Sequence, residues 1–134
     1  MIKEIVEHWE KNKGKLRAHI TKEGESYKDK GYEGLLKDII NIVLNDDEVE
    51  FFEKCYNAEK MTVIDDGDYQ GTLIFIFPYD TYQPMASEYL YTSVGYGSCS
   101  GCDTWEAAET GDNFVGDMMT LALHMIQSMK RMED

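Results

Sequence analysis

Apolar residues recur along the chain with two different periods, and the period changes near residue 61. Ile2, Ile5, Val6, Trp9, Leu16 and Ile20 fall at helical spacing. They predict an amphipathic helix over residues 2 to about 19, weakened in its middle by Gly14. Residues 21–30 are charged and contain Gly24, so a solvent-facing connection is expected there. Leu35, Leu36, Ile39, Ile40, Val43 and Leu44 predict a second helix with a broad buried face, stopped at Asn45-Asp46-Asp47. That polar cluster also suits the cap of a short third helix, which would turn Val49, Phe52 and Cys55 (or Tyr56) inward. A cysteine on such a face is expected to be a small buried apolar residue.

From Met61 the pattern is that of strands. Met61-Thr62-Val63-Ile64 is short and β-prone, with Asp65-Asp66-Gly67-Asp68 as the turn after it. Residues 71–77 form a run apolar enough for a central strand covered on both faces, and Pro78 ends it because proline cannot donate to a ladder. In the third strand, residues 88–96, Tyr89, Tyr91 and Ser93 share one face and Leu90, Thr92 and Val94 the other. Asp103-Thr104-Trp105-Glu106 has capping-box spacing and predicts a short helix, interrupted at Thr110-Gly111-Asp112-Asn113. The last helix runs from about Phe114 to Met132, with Val115, Met118, Met119, Ala122, Met125, Ile126 and Met129 as one apolar face. The expected fold class is α+β in a single domain over residues 1–134. A small antiparallel three-stranded meander is packed with N-terminal helices and a long C-terminal helix.

Composition narrows the function classes. At 134 residues, with 43% hydrophobic and 12% aromatic residues, the chain can bury one core without a staple. Twenty-six acidic against 13 basic residues leave a net charge of −13. That opposes direct binding to nucleic acid or to an anionic membrane through a general basic surface. It favours a basic protein as partner, including one whose groove normally holds nucleic acid, or serves solubility alone. No apolar run approaches the roughly 20 residues a bilayer crossing needs. The first residues are a charged amphipathic helix start rather than a secretory signal, so a cytoplasmic location is expected. Three cysteines, an odd number, do not suggest a disulfide framework.

Candidate chemistry centres on Tyr96-Gly97-Ser98-Cys99-Ser100-Gly101-Cys102-Asp103-Thr104, the join between sheet and helices. Cys99 and Cys102 form a CxxC, which can supply two zinc ligands or a redox dithiol. Zinc would need two more ligands from Cys55, His8, His19, His124 or a carboxylate, and no second pair stands at ligand spacing. Asp103 and Glu106 disfavour a thiolate, and small residues fitting a tight join are the plainer explanation. Asp65-Asp66-Gly67-Asp68 lacks EF-hand spacing and suits a solvated turn. His124 stands well off the apolar stripe of the last helix, near Asp117, Ser128 and Arg131, with no nucleophile identified beside it. No Walker loop, dinucleotide fingerprint, HExxH or nucleophile elbow is present. Tyrosines at 69, 79, 82, 89, 91 and 96 suit a protein interface or a ligand pocket.

Three blocks together resemble a family of small bacteriophage proteins of about this length. They are Val63 to Thr72, the Tyr96–Thr104 block, and Met119 to Gln127. The resemblance covers residues 61 to 129, and its most specific part is the cysteine block. It implies a viral origin and an accessory role, and it transfers no activity or catalytic residue. The leading expectation is a non-enzymatic phage accessory protein that uses an acidic surface, in the host cytoplasm, to bind and inhibit a host antiviral protein. Such a target could be nucleic-acid-binding, in the manner of anti-defence or anti-CRISPR proteins. The alternative is a binder of a nucleotide-like signal, with Asp66, Tyr69, Tyr82, Tyr96, Ser98, Cys99, Ser100, Cys102, Asp103 and His124 around the pocket. Backbone amides of the glycine-rich loop would hold the anion, against the chain's own negative field. A zinc- or dithiol-dependent protein using Cys99 and Cys102 is the third; otherwise no cofactor is expected.

Overall fold

The computed structural model describes residues 2–45, 55–67, 71–81, 83–96 and 104–132. Helix α1 (Ile2–Glu23) runs past its expected end and buries Ile5, Trp9, Leu16 and Ile20. Gly24 follows at φ +60°, a left-handed conformation that a β-carbon disfavours, and the helix stops there. The chain then winds a 3-10 turn over Gly24–Asp29, and Gly31, at φ +71°, opens α2 (Gly31–Asp38). The expected connection over residues 21–30 is solvent-facing at 21–26, 29 and 30, with Tyr27 as its exception, fully buried in that turn. One aromatic ring carries apolar area that its charged neighbours mask in a sequence average.

α2 continues into a π-helical turn, Ile39–Leu44, in which the Asn45 amide donates to the Ile40 carbonyl at 2.8 Å. Val43 lies in its last turn, whose carbonyls have no intrahelical donor. The buried Asn12 supplies one from α1, its Nδ2 donating to Val43 O at 3.0 Å. Asn45 then acts as a short piece of strand: its Nδ2 donates to Tyr56 O at 2.7 Å, and its Oδ1 accepts from Tyr56 N at 2.8 Å. Val49 and Phe52 of the anticipated third helix lie outside the described residues. Cys55, expected to be buried, is exposed.

The described strands form one antiparallel sheet, β1 (Thr62–Gly67), β2 (Gly71–Pro78), β3 (Tyr89–Tyr96) and β4 (Lys130–Arg131), in the order β1-β2-β3-β4. The three-stranded meander is thus corrected to four strands. α4 (Phe114–Gln127) ends earlier than its apolar face suggests, and the chain turns back to pair Lys130 with Tyr91 and Arg131 with Leu90. A two-residue strand has no periodicity to read, and Met129 stays buried in either geometry. A second correction concerns Asp65 and Asp66, which belong to β1 and not to a turn. β1 is an edge strand exposed along its whole length, so its carboxylates remain solvated. Gly71 faces Gly67 across the hairpin, and a β-carbon there would sit 2.3 Å from the Asp66 carbonyl oxygen.

Register divides the sheet into two faces. Phe75, Phe77, Leu90, Thr92 and Val94 point to one side and are buried. α4 covers that side, with Thr92 Oγ1 donating to Met125 O at 2.9 Å. α1 packs beside α4 and against the π turn, so helices and inner strand face share one core. α3 (Thr104–Thr110) is held by Trp105, whose indole lies among Tyr27, Tyr32 and Phe114 with ring centroids 5.6 to 6.4 Å apart. Trp105 Nε1 donates to Lys28 O at 3.1 Å, and its backbone amide donates to Tyr32 Oη at 2.9 Å. Among the described residues no helix is long and apolar enough to cross a membrane.

Candidate functional site

Three of the residues assembled from sequence into a pocket lie in the described part, and they stand apart. Asp66, opposite Thr72 on β1, belongs to the outer face of the sheet. Tyr96 pairs with Gly71 and belongs to the inner face, where its hydroxyl donates to the Asp65 carboxylate. His124 is exposed on α4, and its carbonyl accepts from Ser128 Oγ at 3.0 Å. Tyr69, Tyr82, Ser98, Cys99, Ser100, Cys102 and Asp103 lie outside the described residues. Among the described residues no group of three or more His, Cys, Asp or Glu side chains could hold a metal ion.

What the register does assemble is the outer sheet face. Ile64 pairs with Ile74, Ile76 with Tyr91, and Pro78 with Tyr89. These residues, with Thr62, Thr72 and Ser93, face away from Phe75 and the helices. None of Ile64, Ile74, Ile76, Tyr89 and Tyr91 belongs to the hydrophobic core or packs against it, and Ile64 is 45% exposed. β2 is central, as its apolar run implies; among the described residues helices cover one of its faces, and on the other Ile74 and Ile76 are half-buried. β-Branched and aromatic side chains pair well across strands, so the row is stable as a surface. Asp66 stands at its β1 edge, and Lys130 lies opposite Tyr91 at the other.

Charge is divided along the chain as well. The first 37 residues carry nine of the basic side chains and seven acidic ones, whereas the rest carry four basic and 19 acidic. The sheet therefore belongs to a strongly acidic portion, and α1 to a mildly basic one. A groove of about 650 Å³ runs along the junction of α1 and α4, with Trp9, Gly14, Arg17 and Met119 among its lining residues. A smaller hollow of about 280 Å³ lies beside Tyr32, Trp105, Glu106 and Glu109.

A titratable cluster around Asp38 is structural in geometry. Tyr27 Oη donates to Asp38 Oδ2 at 2.7 Å, while His19 Nε2 lies 3.4 Å and Lys30 Nζ 3.8 Å from the same oxygen. Burial, reinforced by the Asp38 carboxylate, holds the Tyr27 phenol well above its ordinary pKa. Tyr56 is raised likewise by burial and by its hydrogen bond with Tyr79, on whose ring it stacks at 4.7 Å. Neither tyrosine opens onto the groove or the hollow.

The sequence signal for the outer face was available in the alternation of β2 and β3, but a fully apolar run conceals which alternate residues are left uncovered. The groove depends on two helices far apart in sequence, and Gly14 alone suggests only a weakened helix. Compared with protein-family models, curated proteins and solved structures, the chain matches none.

Proposed function

We propose that the chain is a non-enzymatic binding protein that docks a basic protein on the outer face of its sheet. The observation that carries this reading is the row Ile64, Ile74, Ile76, Tyr89 and Tyr91, placed by register on the side away from the helices and separate from the core. Aromatic and apolar residues at the centre of a patch, with charge at its edge, are the composition of a recognition surface. Asp66 on the exposed β1 edge, within a portion of 19 acidic and four basic residues, favours a partner of positive charge. A nucleic-acid-binding host effector, inhibited by occupation of its basic groove, fits that chemistry. A viral origin and action in a host cytoplasm, which the resemblance of residues 61 to 129 implies, belong to the same proposal.

Capture from host lysate by the wild-type chain and by an Ile74→Glu/Ile76→Glu variant tests the reading. A basic protein is expected on the wild type, lost from the variant. It should also weaken as salt rises from roughly 0.1 to 1 M, where the Debye length falls from about 10 to 3 Å. Retention by both chains alike, or affinity indifferent to salt, overturns it.

A further inference from the structure

The groove between α1 and α4 is lined by positions 10, 13, 14 and 17 of one helix and 116, 119, 120 and 123 of the other. Each set is a single i, i+3, i+4, i+7 stripe, so the groove follows both helices for about two turns. At about 650 Å³ it falls within the size range of small-ligand sites. Gly14 sits in the middle of the α1 stripe, and a β-carbon built there meets nothing within 4 Å. The missing side chain leaves the middle of that stripe open, at the cost of helix stability. Trp9 and Met119, both largely buried, form apolar walls.

The mouth of the groove reverses the charge of the molecule. Lys11, Lys13 and Arg17 stand there with Glu10 on a chain whose net charge is −13. Lys13 Nζ contacts Glu10 Oε2 at 2.8 Å, but the two side chains are 47% and 62% exposed, so solvent screens the pair and an incoming anion can replace it. Among the described residues the Arg17 guanidinium has no carboxylate within 4 Å. α1 as a whole holds six of the 13 basic side chains.

We propose that this groove binds a nucleoside polyphosphate, with its phosphates on Lys11, Lys13 and Arg17 and its base and sugar in the hollow above Gly14, against Met119 and Trp9. A bare anion would leave the hollow empty, and an apolar ligand would leave the Arg17 guanidinium without an anionic partner. A nucleoside polyphosphate engages both, with the arginine fork meeting phosphate oxygens in pairs and the lysines acting as point charges. The groove is formed by the helices and shares no residue with the outer sheet face, so the two readings stand or fall separately.

Thermal shift and calorimetric titration of the full chain with ATP, ADP, adenosine and inorganic tripolyphosphate test the proposal. ATP is expected to raise the melting temperature saturably. Adenosine and tripolyphosphate alone should each bind about tenfold or more weakly, since each forgoes one half of the contacts. Arg17→Ala should weaken ATP by about tenfold, the loss of one charge-assisted hydrogen-bonded contact. Gly14→Trp, its ring filling the groove, should abolish binding while circular dichroism shows the helices intact. Arg17→Glu makes the same test should the tryptophan perturb folding. No shift with ATP, tripolyphosphate binding as tightly as ATP, or ATP binding undiminished in Gly14→Trp or Arg17→Glu would overturn the proposal. Binding of an acidic peptide without binding of ATP would also overturn it, and would assign the groove to a protein.

Discussion

Tyr27 donates its hydroxyl to Asp38 Oδ2 at 2.7 Å, and through that bond the 3-10 turn after α1 is fastened to the last turn of α2. The ring itself is fully buried and lies beside Trp105, so one side chain joins α1, α2 and α3. Tyr27→Phe keeps the ring and removes only the hydrogen bond to a charged acceptor. A loss of about 1.5–3 kcal/mol is expected in urea unfolding. Tyr27→Ala should lose more, about 3–5 kcal/mol, because the cavity it leaves is large and central.

Tyr27 and Tyr56 both have phenol pKa values raised by burial, which makes alkaline stability a direct test. In the unfolded chain a phenol ionises near pH 10, whereas the folded protein holds these two neutral. Their contribution is therefore complete below about pH 10 and is lost as pH rises beyond it toward the folded-state values. Of the nine tyrosines, these two should develop tyrosinate absorbance only together with loss of the circular dichroism signal. All nine titrating near pH 10 with the fold retained would contradict the burial assigned to them.

Adjacent residues of β2 should respond oppositely to substitution. Phe75 points into the core, and Phe75→Ala is expected to lose about 3–5 kcal/mol. Ile74 points to the outer face, and Ile74→Glu should change stability by within about 1 kcal/mol while abolishing partner capture. Parallel urea titrations of the two variants measure the difference.

The start of α3 depends on a hydroxyl 73 residues earlier, where Tyr32 Oη accepts from the Trp105 amide. Tyr32→Phe leaves that buried N–H without its acceptor and should lose about 1–3 kcal/mol. Tryptophan emission should shift to the red as the indole of Trp105 gains water.

Gly14→Ala should raise stability by about 0.5–1 kcal/mol, because the helix interior gains a β-carbon that meets no neighbour. A measured loss at this position would mean that the space along α1 is filled.

Much of this arrangement was legible in the amino-acid sequence. The alternation of Leu90, Thr92 and Val94 with Tyr89, Tyr91 and Ser93 separates buried from half-buried or exposed residues along β3. The apolar face of α4 is likewise buried at Met118, Met119, Ala122, Met125 and Ile126. What escaped detection has a common cause, in that short or locally polar segments act through distant partners. β4 is too short to alternate, Tyr27 is surrounded in sequence by charge, and Asp65 and Asp66 sit in a strand only because its outer edge is open to water. The candidate pocket combined Asp66, read as part of a turn, with Tyr96 at the start of the glycine-rich loop. A single step of register sends them to opposite faces.

The π turn at Ile39–Leu44 holds one more residue than an α-helical path of the same length would accommodate, and Asn12 has fastened onto the carbonyl at its end. Removing the half-buried Ile42 would restore ordinary winding, but it would close the widened turn to whose end Asn12 is bonded. Descendants of this chain are therefore free to vary the surface of that segment but not its length. A lineage that lost Asn12 first could later shed the extra residue, whereas the reverse order would strand a buried amide.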